Sequence, residues 1–288
     1  MASARLEIVD HICAAGTHHN DDIWGATATA AWVIDGATGL SAERILPHAP
    51  SDAAWFAASI DGCLRQADWS RPACDCLRDA VAAVEAMFRR EAVNLPTEMS
   101  LWPSGAITIV SVGERTVQFV NLGDCKLLFR DAKDRTTRAF GTSVVTALDQ
   151  MLVDAIVRLQ TEGIVEPAAL WTRLVPDIRR NRMRMNMPDG YWCLDIPGRG
   201  LDHVQELAVP RDDTDEFLLV TDGFYRLVDT YRAYSDETLL GAALSRGLAE
   251  LYRHLRSIEA QDADCRTHPR LKSRDDATAV LGRVTRDG

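Results

Sequence analysis

The chain has 288 residues, 47% of them hydrophobic and 26% charged, with a formal net charge of -10. That length and balance accommodate one large domain or two small ones around a core of useful size. The acidity argues against nucleic acid or an anionic membrane as the main partner, no stretch approaches the roughly 20 apolar residues of a membrane span, and the opening residues lack the charged-then-apolar plan of a signal peptide.

In chain order, Leu6 to Cys13 predicts a first strand, and Ala28 to Ile34 a second that stops at Asp35-Gly36. Ser51-Asp52 suits a helix cap. Phe56, Ile60, Cys63, Leu64 and Ala67 then recur at helical spacing, and after Arg71-Pro72 a second helix carries the stripe Leu77, Val81, Val84 and Phe88. Ile107 to Val112, a turn at Gly113-Glu114 and Thr116 to Val120 predict a hairpin. Gly123-Asp124 turns again into Lys126 to Phe129, and links this tight predict three antiparallel neighbours. Val145, Leu148, Leu152, Ile156 and Leu159 predict a helix ended by Gly163. A shorter helix around Ala168 to Leu174 is expected to stop at Pro176, and the basic run Arg179 to Arg184 reads as a solvated face.

Strands are expected again at Tyr191 to Ile196, Val204 to Val209 and Glu216 to Val220. One long amphipathic helix, Asp236 to Arg256, is carried by Leu240, Leu244, Leu248, Leu251 and Leu255. A polar, irregular segment from Glu259 to Arg274 leads into a closing strand, Ala277 to Leu281. No repeat or linker interrupts the chain, so the expectation is a single layered α+β domain over residues 1–288, with helices covering a central β core. The 7 cysteines are odd in number and irregular in spacing; Cys74-Asp75-Cys76 matches no common zinc pattern, and all read as reduced thiols of a cytoplasmic protein.

Short aspartate motifs fall where strand-like runs meet turns: Asn20-Asp21-Asp22, Asp35-Gly36, Gly123-Asp124, Thr221-Asp222-Gly223 and Asp275-Asp276-Ala277-Thr278. Taken singly, each is an ordinary turn or strand entry. Taken together, carboxylates at strand ends can converge, and converging carboxylates repel unless a cation neutralises them. Such oxygen ligands suit magnesium or manganese rather than zinc.

The ordered set resembles the type-2C metal-dependent protein phosphatases over nearly the whole chain. It runs Asn20-Asp21-Asp22, Val33-Ile34-Asp35-Gly36, Gly105-Ala106, Asn121-Leu122-Gly123-Asp124, Leu219-Val220-Thr221-Asp222-Gly223 and Asp275-Asp276-Ala277-Thr278. The resemblance implies a β-sandwich of two antiparallel sheets with helix pairs on both outer faces. It implies two Mn2+ or Mg2+ ions per chain, with Asp35 bridging them, the Gly36 carbonyl on one, and Asp222 and Asp275 on the other. Asp21 and Asp22 would hold metal-associated waters, and Asp124 matches a residue used by some members for a third, weaker ion. Asp35, Asp222 and Asp22 would be the residues on which catalysis depends. Two close cations can activate a water and neutralise phosphoryl oxygens, so no serine or cysteine nucleophile is required.

Three departures from the family stand out. The Arg that grips phosphate in many members is Thr17 here, beside His18 and His19, which are either a different phosphate grip or exposed loop residues. An Asp used for a third metal is Arg226, which either supplies phosphate-binding charge or is a surface residue. A His proposed as general acid is Ala37. Cys125, Met183, Met185, Met187 and Gly190-Tyr191-Trp192 receive no catalytic role. The resemblance implies a phosphorylated protein as substrate. A small phosphorylated molecule and a non-catalytic binding module on the same fold are the alternatives.

Overall fold

The structure, a computed structural model, describes residues 5–37, 44–93, 95–142 and 147–285. Strand β4 (Ser104–Val112) is buried at every position, as a strand covered on both faces must be. It lies in the middle of a six-stranded sheet. Its partners are β3 (Ala30–Ala37) and β5 (Thr116–Leu122), with β2 (Ile23–Ala26) and β9 (Gln205–Pro210) outside them. The two-residue β8 (Leu194–Asp195) pairs with the start of β4. Side chains alternate along these strands. Trp32, Ile34, Ile107 and Ile109 enter one core, and Ala31, Val33, Val110 and Phe119 enter another.

The first core is roofed by α1 (Asp52–Arg65) and α2 (Ala73–Glu91), whose buried stripes include Phe56, Ile60 and Leu64, and Leu77, Val81, Val84 and Phe88. Each such side chain contributes about 1.5–3 kcal/mol through its removal from water. The second core lies between this sheet and a five-stranded one. That sheet runs in the order β1 (Arg5–Ala14), β11 (Ala277–Thr285), β10 (Thr214–Val220), β6 (Lys126–Asp131) and β7 (Thr137–Phe140). All strand pairs are antiparallel. Phe217, Leu219 and Val280 face inward. Leu218, Val220 and Ala279 face outward onto a third core covered by α5 (Asp222–Tyr225), α6 (Asp236–Arg246) and α7 (Leu248–Gln261). The result is the expected α-β-β-α layering.

Several elements differ from expectation. β5 and β6 are not neighbours: the Gly123-Asp124 turn carries the chain from one sheet to the other. Gly123 takes φ +94°, which L side chains rarely adopt. The leucine stripe of Asp236 to Arg256 is split into α6 and α7 at Gly247 (φ +82°), where Asp10 of β1 accepts a hydrogen bond from the Leu248 amide at 2.8 Å. The short helix at Ala168 does not stop at Pro176. It runs as α4 (Pro167–Arg182), because Leu170, Leu174 and Ile178 continue one apolar face against Ala155, Ile156 and Leu159 of α3 (Ala147–Thr161). Val145, expected at the start of that helix, lies outside the described residues. The basic run is not wholly a solvated face, since Arg182 donates to the carbonyls of Ser100 (2.8 Å) and Trp102 (3.3 Å) and to Ser104 Oγ (3.2 Å). Strands β2 and β7 were not expected, both being only four residues long. Tyr191 to Ile196 contributes only β8.

Beneath α1, the Trp32 indole donates to Asp61 at 3.0 Å, and Arg65 donates to the other Asp61 oxygen at 2.8 Å. Asp61→Ala leaves a buried indole N–H without an acceptor and is expected to cost about 1–3 kcal/mol. The midpoint of urea unfolding should fall accordingly, with Asp61→Asn intermediate.

Candidate metal centre

Five chain segments meet at one rim of the sandwich. Asp35 ends β3, Asp124 sits in the β5–β6 crossing, Asp222 opens α5, Asp275 and Asp276 precede β11, and Asp21-Asp22 precede β2. The Asp35 and Asp222 carboxyls face one another closely enough to share a proton. Burial pushes the Asp35 carboxyl well above the usual range, and Asp22, Asp222 and Asp124 push it further. Asp22 is raised by burial, then by Asp222 and Asp276, against a stabilising bond from Thr221 Oγ1 at 2.7 Å. Asp222 is raised by burial and by Asp275, against the opposing pull of Arg226 and Lys272. Four carboxylates thus share one place with too little opposite charge.

Backbone and side-chain bonds hold this arrangement. Asp276 accepts from the amides of Gly16 (2.8 Å) and Asp21 (2.7 Å), which fixes the Asn20-Asp21-Asp22 segment against the entry to β11. The Gly36 amide donates to the Asp21 carbonyl at 3.2 Å, and a Cβ on Gly36 would stand 2.6 Å from that oxygen. Ser51, already the cap of α1, donates a short bond to Asp21, and His19 Nε2 lies 3.6 Å from the same carboxylate oxygen. Buried Asn121 donates to the Cys125 carbonyl at 2.7 Å and accepts from the Thr142 amide at 3.2 Å, bracing the turn that carries Asp124. His18 is exposed on the same loop as His19. The Cys125 thiol is fully buried and pushed up by burial, then by Asp35 and Asp124, so it stays protonated and is no nucleophile.

Asp275 is placed differently. Arg226 Nη2 donates to its Oδ2 at 2.6 Å, and Lys272 Nζ to its Oδ1 at 2.8 Å. Burial works to raise this carboxyl, but the two cations outweigh it and hold it below the usual range. Arg226 is therefore neither a surface residue nor presented to a phosphate. It is 11% exposed and committed to Asp275 and, at 3.9 Å, to the fully buried Glu259. Lys272 was not named from sequence, and Asp276, Thr221 and Ser51 were quoted there only within motifs or as a helix cap, without a role at the site. The signal available for Lys272 was its place three residues before Asp275.

Among the described residues, no group of three or more His, Cys, Asp or Glu side chains is closed around a metal position as it stands. The donor set nonetheless fits a hard divalent cation: every candidate ligand is oxygen, the carboxylates of Asp22, Asp35 and Asp222 lack sufficient positive charge, and buried Asp22 Oδ1 has no hydrogen-bond partner. Asp35→Asn removes one of the crowded charges. Without divalent ions it is expected to raise stability by about 1 kcal/mol, roughly 2–4 °C in Tm. Thermal unfolding in chelator should show that gain, and added Mn2+ should stabilise the wild type more than the variant.

No protein-family model matches the sequence, and no curated protein matches it. Solved structures do match over nearly the whole chain. The catalytic domain of the serine/threonine protein phosphatase PstP, in complex with 2 manganese ions, is 18% identical with a TM-score of 0.55, covering 98% of this chain and 100% of that one. PppA, a key regulatory component of T6SS in Pseudomonas aeruginosa, is 17% identical with a TM-score of 0.57 and 98% coverage of both chains. The serine/threonine phosphatase Stp1 from Staphylococcus aureus is 13% identical with a TM-score of 0.51, covering 99% and 96%. The chain has the fold of the type-2C serine/threonine phosphatases.

Proposed function

We propose that this chain is a metal-dependent phosphomonoester hydrolase that removes phosphate from serine or threonine residues of proteins in the cytoplasm, as one domain over residues 1–288. The observation that carries this reading is the crowding of Asp22, Asp35, Asp124 and Asp222 at one rim, an arrangement that only added positive charge makes comfortable. The fold supports it, and among the described residues no helix is long and apolar enough to cross a membrane.

Asp35, the Gly36 carbonyl, Asp222 and Asp275 would hold two Mn2+ or Mg2+ ions, with Asp124 available to a third. When bound, such a pair supplies an activated water and neutralises charge on a phosphoryl group. The chain's own residues orient the reactants. Thr221 fixes one oxygen of Asp22 and leaves Oδ1 to accept a hydrogen bond from a water. Ser51 and His19 hold the Asp21 carboxylate, and Asp276 keeps Asp21 in place by accepting from its amide. With Arg226 committed elsewhere, exposed His18 and His19 are the imidazoles on hand to meet a phosphate.

A cleft of about 1010 Å3 opens beside Asp21 and Asp22 and runs along α1 past Ala54, Ala58 and Gly62. Its largely apolar lining, running along α1 away from the aspartates, is wide enough for the residues that flank a phosphorylated side chain.

Hydrolysis of p-nitrophenyl phosphate is expected with Mn2+, is lost in chelator, and falls about 100-fold or more in Asp222→Asn. A wild type that binds Mn2+ yet turns over neither this substrate nor a phosphopeptide would remove the enzyme reading. Ala58→Trp, at an exposed position in the cleft, should lower kcat/KM for a phosphothreonine peptide about tenfold, about 1.4 kcal/mol. Its turnover of p-nitrophenyl phosphate should match the wild type, and an equal loss on both substrates would count against a protein substrate.

A further inference from the structure

Two side-chain cations occupy Asp275, one on each oxygen, and they differ in how firmly they are held. Arg226 is built into the fold. Its Nη1 lies 3.9 Å from Glu259 Oε1 and donates to the Lys272 carbonyl at 3.4 Å. Glu259, with a fully buried side chain, is also paired with Arg256 at 2.7 Å, and Arg256 donates to the Asp275 carbonyl at 2.8 Å. Without Arg226, Glu259 Oε1 and Asp275 Oδ2, both on little-exposed side chains, would lose the cation beside them.

Lys272 is held far less. It stands three residues before Asp275 in the non-helical segment leading to β11, and its side chain is 50% exposed. A lysine ammonium is a compact, strongly hydrated charge on a flexible stem. Moving it from Asp275 into water breaks one ion pair whose lysine end is half-exposed, and leaves Arg226 on the other Asp275 oxygen.

We infer that Lys272 is a tethered cation that competes with a divalent ion for the Asp275 carboxylate, so that the position shared by Asp222 and Asp275 fills only when Lys272 swings out to solvent. This rests on the reading of the aspartate cluster as a metal centre. Asp22 and Asp35, at the other side of the cluster, have no such internal cation among the bonds and ion pairs described above. The two positions therefore bind with unequal strength, and the weaker one responds to the free concentration of the metal.

The test is a Mn2+ titration of the full chain, read by the electron paramagnetic resonance signal of free Mn2+, which needs no turnover. Wild type, Lys272→Met, Lys272→Gln and Asp275→Asn are compared, with circular dichroism confirming that each is folded. The weaker step is expected to tighten about tenfold in both Lys272 variants while the tighter step is unchanged, and to vanish in Asp275→Asn. Isotherms of both Lys272 variants that superimpose on the wild type would overturn the tether and leave the metal centre standing. So would a weaker step that persists in Asp275→Asn. Absence of Mn2+ binding in every protein would overturn the metal centre, and the tether with it.

Discussion

Asp22, Asp35, Asp124 and Asp222 repel one another where the surrounding chain shields them from much of the solvent. The rest of the molecule supplies what holds them together. Two sheets pack face to face, and helices close both outer faces, so the strand ends at the rim have nowhere to retreat. Apolar burial in three adjoining cores provides a driving force that does not depend on the rim. Beside that, the repulsion among a few carboxylates is tolerable.

Charge across the rim is uneven. On the Asp275 side, Arg226, Arg256, Lys272 and Glu259 form a connected network that includes both cations and anions. On the Asp22 side, the partner is the neutral hydroxyl of Thr221, which donates to Asp22 Oδ2. The field at this rim therefore changes sign across a short distance.

Much of this was legible in the sequence. Aspartates placed at the ends of apolar strands, in that order, marked the rim, and the stripes of α1 and α2 marked one helical layer because nothing competes with their period. Illegible parts have identifiable causes. So short a link, Gly123 to Cys125, normally joins neighbours in one sheet, and only the packing of two sheets lets it cross between them. The leucine period runs straight through Gly247, and the break depends on Asp10, which lies 238 residues earlier. Pro176 lacks an N–H for the helix ladder, but an unbroken apolar face outweighs that loss. Arg226 reads as a loose cation because Asp275, which fixes it, lies 49 residues further on.

Asp276 ties the amides of Gly16 and Asp21 to a point 260 and 255 residues downstream, and β1 lies against β11. A ribosome-bound chain that has not yet released Asp276 holds the Asn20-Asp21-Asp22 segment without its anchor, and the sheet containing β1 without the strand between β1 and β10. The rim is thus assembled only once the nascent chain has delivered β11. Until β11 is present, the scaffold that bears the carboxylates' repulsion is incomplete.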